Sequence, residues 1–123
     1  MKPGKKGLAR IIDATGYSIG GLKAAFINEA AFRQELLLVA ILGAASFWIA
    51  ETPLEWLILI LPLFVLLIVE LLNSAIENTV DRIGSEMHEL SGRAKDLGSA
   101  AVMLSLLLIA LSWSVVVWHH PGP

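Results

Sequence analysis

Apolar residues gather into three long blocks along this chain, and each block begins and ends differently. The clearest, GSAAVMLSLLLIALSWSVVVW from Gly98 to Trp118, carries no charge. It exceeds the roughly 20 residues a helix needs to cross about 30 Å of hydrocarbon. A second block follows TPLEW and runs LILILPLFVLLIV into Glu70. Thr52 can cap it, Pro53 suits the first helical position, and Glu55 completes a Thr-x-x-Glu capping box. Pro62 is expected to kink this helix, with neighbouring helices recovering the freed carbonyl. The block from Leu36 to Ala50 is short and crosses only if its helix also uses Ala30 to Glu35. Spans are therefore expected at about 30–50, 54–76 and 98–118. Ahead of them, Leu8, Ile11, Ile12, Thr15, Ile19, Leu22 and Phe26 share one helical face, with Arg10, Asp13 and Lys23 elsewhere. That pattern predicts an amphipathic helix over about 7–28 lying on the membrane surface. Gly16, Gly20 and Gly21 weaken it and are expected to be where it breaks.

Charge supplies an orientation. Of the nine Lys and Arg, Lys2, Lys5, Lys6, Arg10, Lys23 and Arg33 precede the first span, and Arg82, Arg93 and Lys95 lie between the second and third. The connection near Glu51 and the HHPGP tail have none. The positive-inside rule then puts the N-terminus and the 81–97 loop in the cytoplasm and the C-terminus outside. Trp48, Trp56, Trp113 and Trp118 would gather at the outer interface. Composition agrees: 56% of the 123 residues are hydrophobic, 16% are charged, and mean hydropathy is +0.73. A soluble domain would carry about a quarter charged residues. The expectation is an all-α membrane protein forming a single unit over 1–123. It has no Cys for disulfide or thiol chemistry. The first apolar run lies behind a polar, amphipathic stretch, unlike a cleavable signal peptide. No nucleic-acid partner is expected.

The chemistry lies at the end of the second span. At about 1.5 Å per residue, Glu70 sits about 24 Å along it, still short of the cytoplasmic boundary. Glu70, Asn73, Ser74, Glu77 and Asp81 recur at three- and four-residue steps, a polar stripe rising out of the bilayer. Asn73 and Ser74 alone could be interhelical glue. Buried carboxylates need a partner, a metal or a proton. A base at that depth reaches the polar end of a lipid. Carboxylates nearer water suit Mg²⁺, which takes a few protein oxygens beside substrate phosphates. Phosphoryl transfer from a nucleotide to a lipid hydroxyl fits, although GxxxxGK[ST] and the Gly-rich, HRD and DFG kinase set are missing.

Four stretches, ARIIDATGYS (9–18), NEAAFRQE (28–35), VELLNSAIENTVDRIGSE (69–86) and HELSGRAKDLGSAAV (88–102), resemble the small prokaryotic diacylglycerol kinases over nearly the whole chain. The resemblance implies a homotrimeric bundle in the bacterial inner membrane that makes phosphatidic acid from diacylglycerol and ATP. It implies Glu70 as general base, Asn73 positioning Glu70, and Glu29 and Glu77 holding the divalent ion. Arg10, Tyr17, Lys95 and Asp96 would line the nucleotide site with Glu29 and Glu77, and Glu86 and His88 would lie near ribose or base. Lipid contacts would come from Arg10, Ala14, Thr15, Gly16, Tyr17, Ser18 and Ile19, then Lys23, Ala24, Ala25 and Phe26. Further along they would include Ala31, Phe32, Arg33, Gln34, Glu35, Trp48, Glu70, Ser99, Trp113 and Trp118. Active sites shared between protomers are compatible with this layout. Met87, Asp13 and Trp56 depart from the pattern, standing where relatives carry an aromatic, a base and at times a charge.

Two other functions compete. A related branch phosphorylates undecaprenol, but HELSGRAKDLGSAA is more similar to the diacylglycerol branch. A small oligomeric ion or proton carrier would use the stripe as a relay, yet the stripe is polar only toward one end.

Overall fold

The computed structural model describes residues 6–84 and 88–119. These form four helices: α1 (Gly7–Asn28), α2 (Ala30–Ile49), α3 (Pro53–Ile83) and α4 (Glu89–His119). No strand occurs among the described residues. Helices α2, α3 and α4 are each long and apolar enough to cross a membrane.

Glu29 alone separates α1 from α2, with an extended backbone at φ −116° and ψ 106°. Its N–H still donates to the Ala25 carbonyl and its carbonyl accepts from the Arg33 N–H. The Arg33 guanidinium reaches back to the Phe26 and Ile27 carbonyls at 2.8 and 3.1 Å. A cation thus satisfies the last carbonyls of α1, where the helix dipole favours it. Gly16, Gly20 and Gly21 do not interrupt it. Each costs about 1 kcal/mol relative to Ala, but unlike proline it keeps its backbone donor, so the ladder persists.

The start of α3 follows the expected cap: Glu55 N–H donates to Thr52 Oγ1 at 3.1 Å, with Pro53 in the first turn. The reciprocal bond falls one residue earlier, since Glu55 Oε1 accepts from the Glu51 N–H at 2.9 Å. The helix then runs unbroken through Pro62, which is buried. The proline leaves the Ile58 carbonyl without its intrahelical donor. One residue on, the Leu59 carbonyl accepts from Trp113 Nε1 at 3.0 Å, tying α4 to the proline turn. Trp113 is therefore half-buried and its polar atom is used inside the bundle, whereas Trp48 and Trp118 are 84% and 87% exposed.

The 81–97 loop is largely helical. Helix α3 extends to Ile83, and α4 starts at Glu89, nine residues before the apolar block. Hydropathy marks where hydrocarbon ends, not where the helix ends. Local signals carry α4 outward: His88 Nδ1 accepts from the Leu90 N–H at 3.0 Å as a cap, and Glu89 pairs with Arg93 one turn on.

Packing centres on α3. Leu63 and Leu66 meet Ile109 of α4, and Val39, Leu42, Ile60, Val102 and Trp113 surround them. The core is thin, and Leu104, Leu107 and Leu111 of α4 are more than half exposed. So is the apolar face of α1, from Leu8 to Phe26, with only Leu22 slightly below half.

Candidate active site

The polar stripe of α3 divides into two facets. Toward α1 and α2 it presents Glu70 and Ser74, both buried, with Ser74 Oγ donating to Glu70 Oε2 at 3.2 Å. The Glu35 carboxyl of α2 lies beside that of Glu70. Glu35 Oε2 is buried and has no hydrogen-bond partner within the chain. Glu70 is only 3% exposed, so a carboxyl group stands in the low-dielectric interior with a hydroxyl and a second carboxyl as its neighbours.

Toward α4 the stripe presents Asn73, Glu77 and Asp81. Asn73 Nδ2 donates to Glu77 Oε1 at 3.4 Å. Asp81 Oδ1 pairs with Lys95 Nζ at 2.7 Å. Asn73 thus orients Glu77, and the group touching Glu70 is Ser74. A four-residue step stacks 70 on 74 and 73 on 77.

A cavity of about 550 Å³ opens between α1 and α3. Ser18, Ala24, Ala25 and Glu29 line it from the α1 side, and Ser74, Ala75 and Asn78 from α3. Some of the expected lipid-contact residues therefore do face one space, with Glu29 at its edge. Glu29 is half-buried. No group of three or more His, Cys, Asp or Glu that could hold a metal occurs among the described residues. Mg²⁺ takes only one or two carboxylates beside water and substrate phosphates.

Other expected residues are placed differently. Arg10, Thr15, Gly16, Tyr17, Ile19, Lys23 and Phe26 lie exposed on α1, and Ala14 is half-buried. Thr15 and Ser18 hydroxyls are returned to the carbonyls of Ile11 and Ala14. Phe32 is buried, while Ala31 and Gln34 are exposed. Arg33 caps α1, and Glu35 lies beside Glu70. Asp96 and Ser99 are exposed on α4. His88 caps α4 through Nδ1, which leaves Nε2 as its outward nitrogen. Glu86 lies outside the described residues, as does Met87. Asn78 and the Glu35–Glu70 contact were not anticipated. The 70-74-78 spacing carries the first, and nothing in the sequence pairs Glu35 with Glu70.

The profile of the prokaryotic diacylglycerol kinase family matches residues 16–117. The diacylglycerol kinase of Escherichia coli K12 is 51% identical over 116 residues, covering 94% of this chain and 95% of that protein. That of Pseudomonas aeruginosa is 48% identical over 114 residues, 93% of each chain. The Haemophilus influenzae protein of the same name is 47% identical over 112 residues, 91% of this chain and 95% of its own. Three helices long and apolar enough to cross a membrane, together with likeness to these kinases over nearly its whole length, place this chain in the prokaryotic diacylglycerol kinase family.

Proposed function

We infer that this protein transfers the γ-phosphoryl group of ATP to the free hydroxyl of diacylglycerol, giving phosphatidic acid and ADP. The observation that carries the mechanism is the burial of Glu70 at 3% exposure beside Glu35 and Ser74. Glu70 accepts the hydroxyl proton as the oxygen–phosphorus bond forms and the bond from Pγ to the bridging oxygen breaks, leaving ADP. Phosphoryl transfer asks for positioning and charge neutralisation more than covalent catalysis, and a base within reach of the acceptor hydroxyl. Ser74 holds one oxygen of Glu70, which orients the other.

The α1–α3 cavity receives the glycerol end of the lipid, with the acyl chains leaving along the exposed apolar face of α1. Glu29 and Glu77 would hold Mg²⁺, which would supply neutralisation of the phosphate charge. Lys95, now paired with Asp81, turns to the phosphates, and Arg10, Tyr17, His88 and Asp96 complete the nucleotide side. The cytoplasm supplies the nucleotide, consistent with Lys and Arg at the N-terminus and beside the 84–88 connection. Three chains form the working unit, which covers the apolar sides of α2–α4.

Transfer of labelled phosphate from ATP in mixed micelles, with diacylglycerol and undecaprenol in parallel, tests this. Phosphatidic acid formation lost in Glu70→Gln is expected. A folded Glu70→Gln protein with near-native turnover rejects the base, and preference for undecaprenol rejects the acceptor.

A further inference from the structure

Glycine occurs at several helical positions here, and one of them is unlike the others. A Cβ added at Gly7, Gly16, Gly20, Gly21, Gly43 or Gly92 would meet nothing within 4 Å. At Gly98, buried on α4, it would overlap Asn73 Oδ1 and lie 3.2 Å from Asn73 Cγ. The Asn73 amide therefore occupies the space a side chain at 98 would fill. Its Oδ1 is buried there without a donor, while its Nδ2 faces outward to Glu77 Oε1 at 3.4 Å. Reversing the amide would set its oxygen against the Glu77 carboxylate, so the orientation is the one electrostatics selects.

We propose that Gly98 is a positioning residue for phosphoryl transfer: its bare Cα seats the Asn73 amide against α4, and the seated amide holds Glu77. This deepens the reading that Glu77 serves the nucleotide's divalent ion, and rests on it. The overlapping atom is the far end of a side chain, so a methyl at 98 displaces the amide before it displaces either helix. Once rotated away, Asn73 no longer donates to Glu77, and the carboxylate is free to adopt other rotamers. A small residue where two membrane helices meet can also serve close backbone approach alone. The two roles differ in whether they depend on Asn73.

A double-mutant cycle in the full-length protein separates them. Gly98→Ala, Asn73→Ala and the double variant are assayed for kcat/KM toward Mg-ATP at saturating diacylglycerol. Mg²⁺-dependent binding of a non-hydrolysable ATP analogue is measured alongside by equilibrium dialysis. Each single variant is expected to lose at least tenfold in kcat/KM and to weaken analogue binding. The double variant should lie within twofold of Asn73→Ala in both measurements. Equal losses from Gly98→Ala in both backgrounds, or none in the native background, overturn the proposal. No effect of Asn73→Ala alone overturns the underlying reading of Asn73 and Glu77 instead. Should Gly98→Ala fail to fold, the double variant is expected to restore the native unfolding temperature, and its failure to do so also rejects the proposal.

Discussion

At residue resolution the site is organised by hydroxyl and amide groups as much as by carboxylates. Ser74 donates to Glu70 Oε2 from within a buried setting, and a hydrogen bond to a charged group is worth about 1.5–3 kcal/mol. Ser74→Ala is therefore expected to lower kcat about tenfold or more while KM for diacylglycerol changes little. Ser74→Thr, which keeps the hydroxyl, should recover most of the rate; steady-state kinetics in mixed micelles decides. Glu35 offers a second check. Glu35→Gln retains a donor for Glu70, whereas Glu35→Leu leaves that carboxylate facing an apolar group, which is costly in a buried position. The Gln variant should keep more activity and a higher unfolding temperature than the Leu variant, and the reverse order would rule out a polar role for Glu35 beside Glu70. The polar stripe was legible in the sequence because helical periodicity places 70, 73, 74, 77 and 81 within one arc. Its division was not, because it depends on which neighbouring helix lies over each edge of that arc.

Among elements, the ends of the helices are set by local chemistry and the joints by contacts across them. Thr52 accepts from the Glu55 N–H at the start of α3, so Thr52→Ala should cost about 1 kcal/mol, read as a lower unfolding temperature with unchanged KM values. Trp113 does a different job. Its Nε1 donates to the Leu59 carbonyl, 54 residues away in sequence, and a single hydrogen bond contributes about 1 kcal/mol. Trp113→Phe keeps the ring's packing and removes only that donor, so a comparable loss is expected, as is faster amide exchange around Pro62. The capping box was readable from Thr52, Pro53 and Glu55 alone. The bond from Trp113 was not, since its belt-like position in sequence gives no hint that its polar edge turns inward. Likewise, the spans end where charges appear, yet α3 and α4 continue as helix beyond them, because i,i+4 pairs and a His88 cap operate in water as well.

For the molecule as a whole, one chain covers little of its own apolar surface. Leu104, Leu107 and Leu111 on α4 stand 62%, 57% and 63% exposed, and two apolar phases could cover them, lipid or other copies of the chain. Between helices in lipid, packing and polar contacts favour association more than hydrophobicity does, and Ser105 and Gly98 on α4 are already turned inward within the chain. The proposed three-chain unit predicts a single trimeric species by analytical ultracentrifugation in detergent; a monomer that retains full turnover would exclude shared sites.

The sequence by itself determined the class of molecule: three helices long and apolar enough to cross a membrane, an amphipathic helix ahead of them, and carboxylates toward the end of the second apolar helix. Those features follow from hydropathy and from a 3.6-residue period, which are properties of the chain read along its length. Tertiary structure alone decided which groups act together. Glu35 faces Glu70 across α2 and α3, Gly98 admits Asn73 across α3 and α4, and Arg33 closes the end of α1, because relative helix placement, and not spacing within any one helix, brings those atoms within reach.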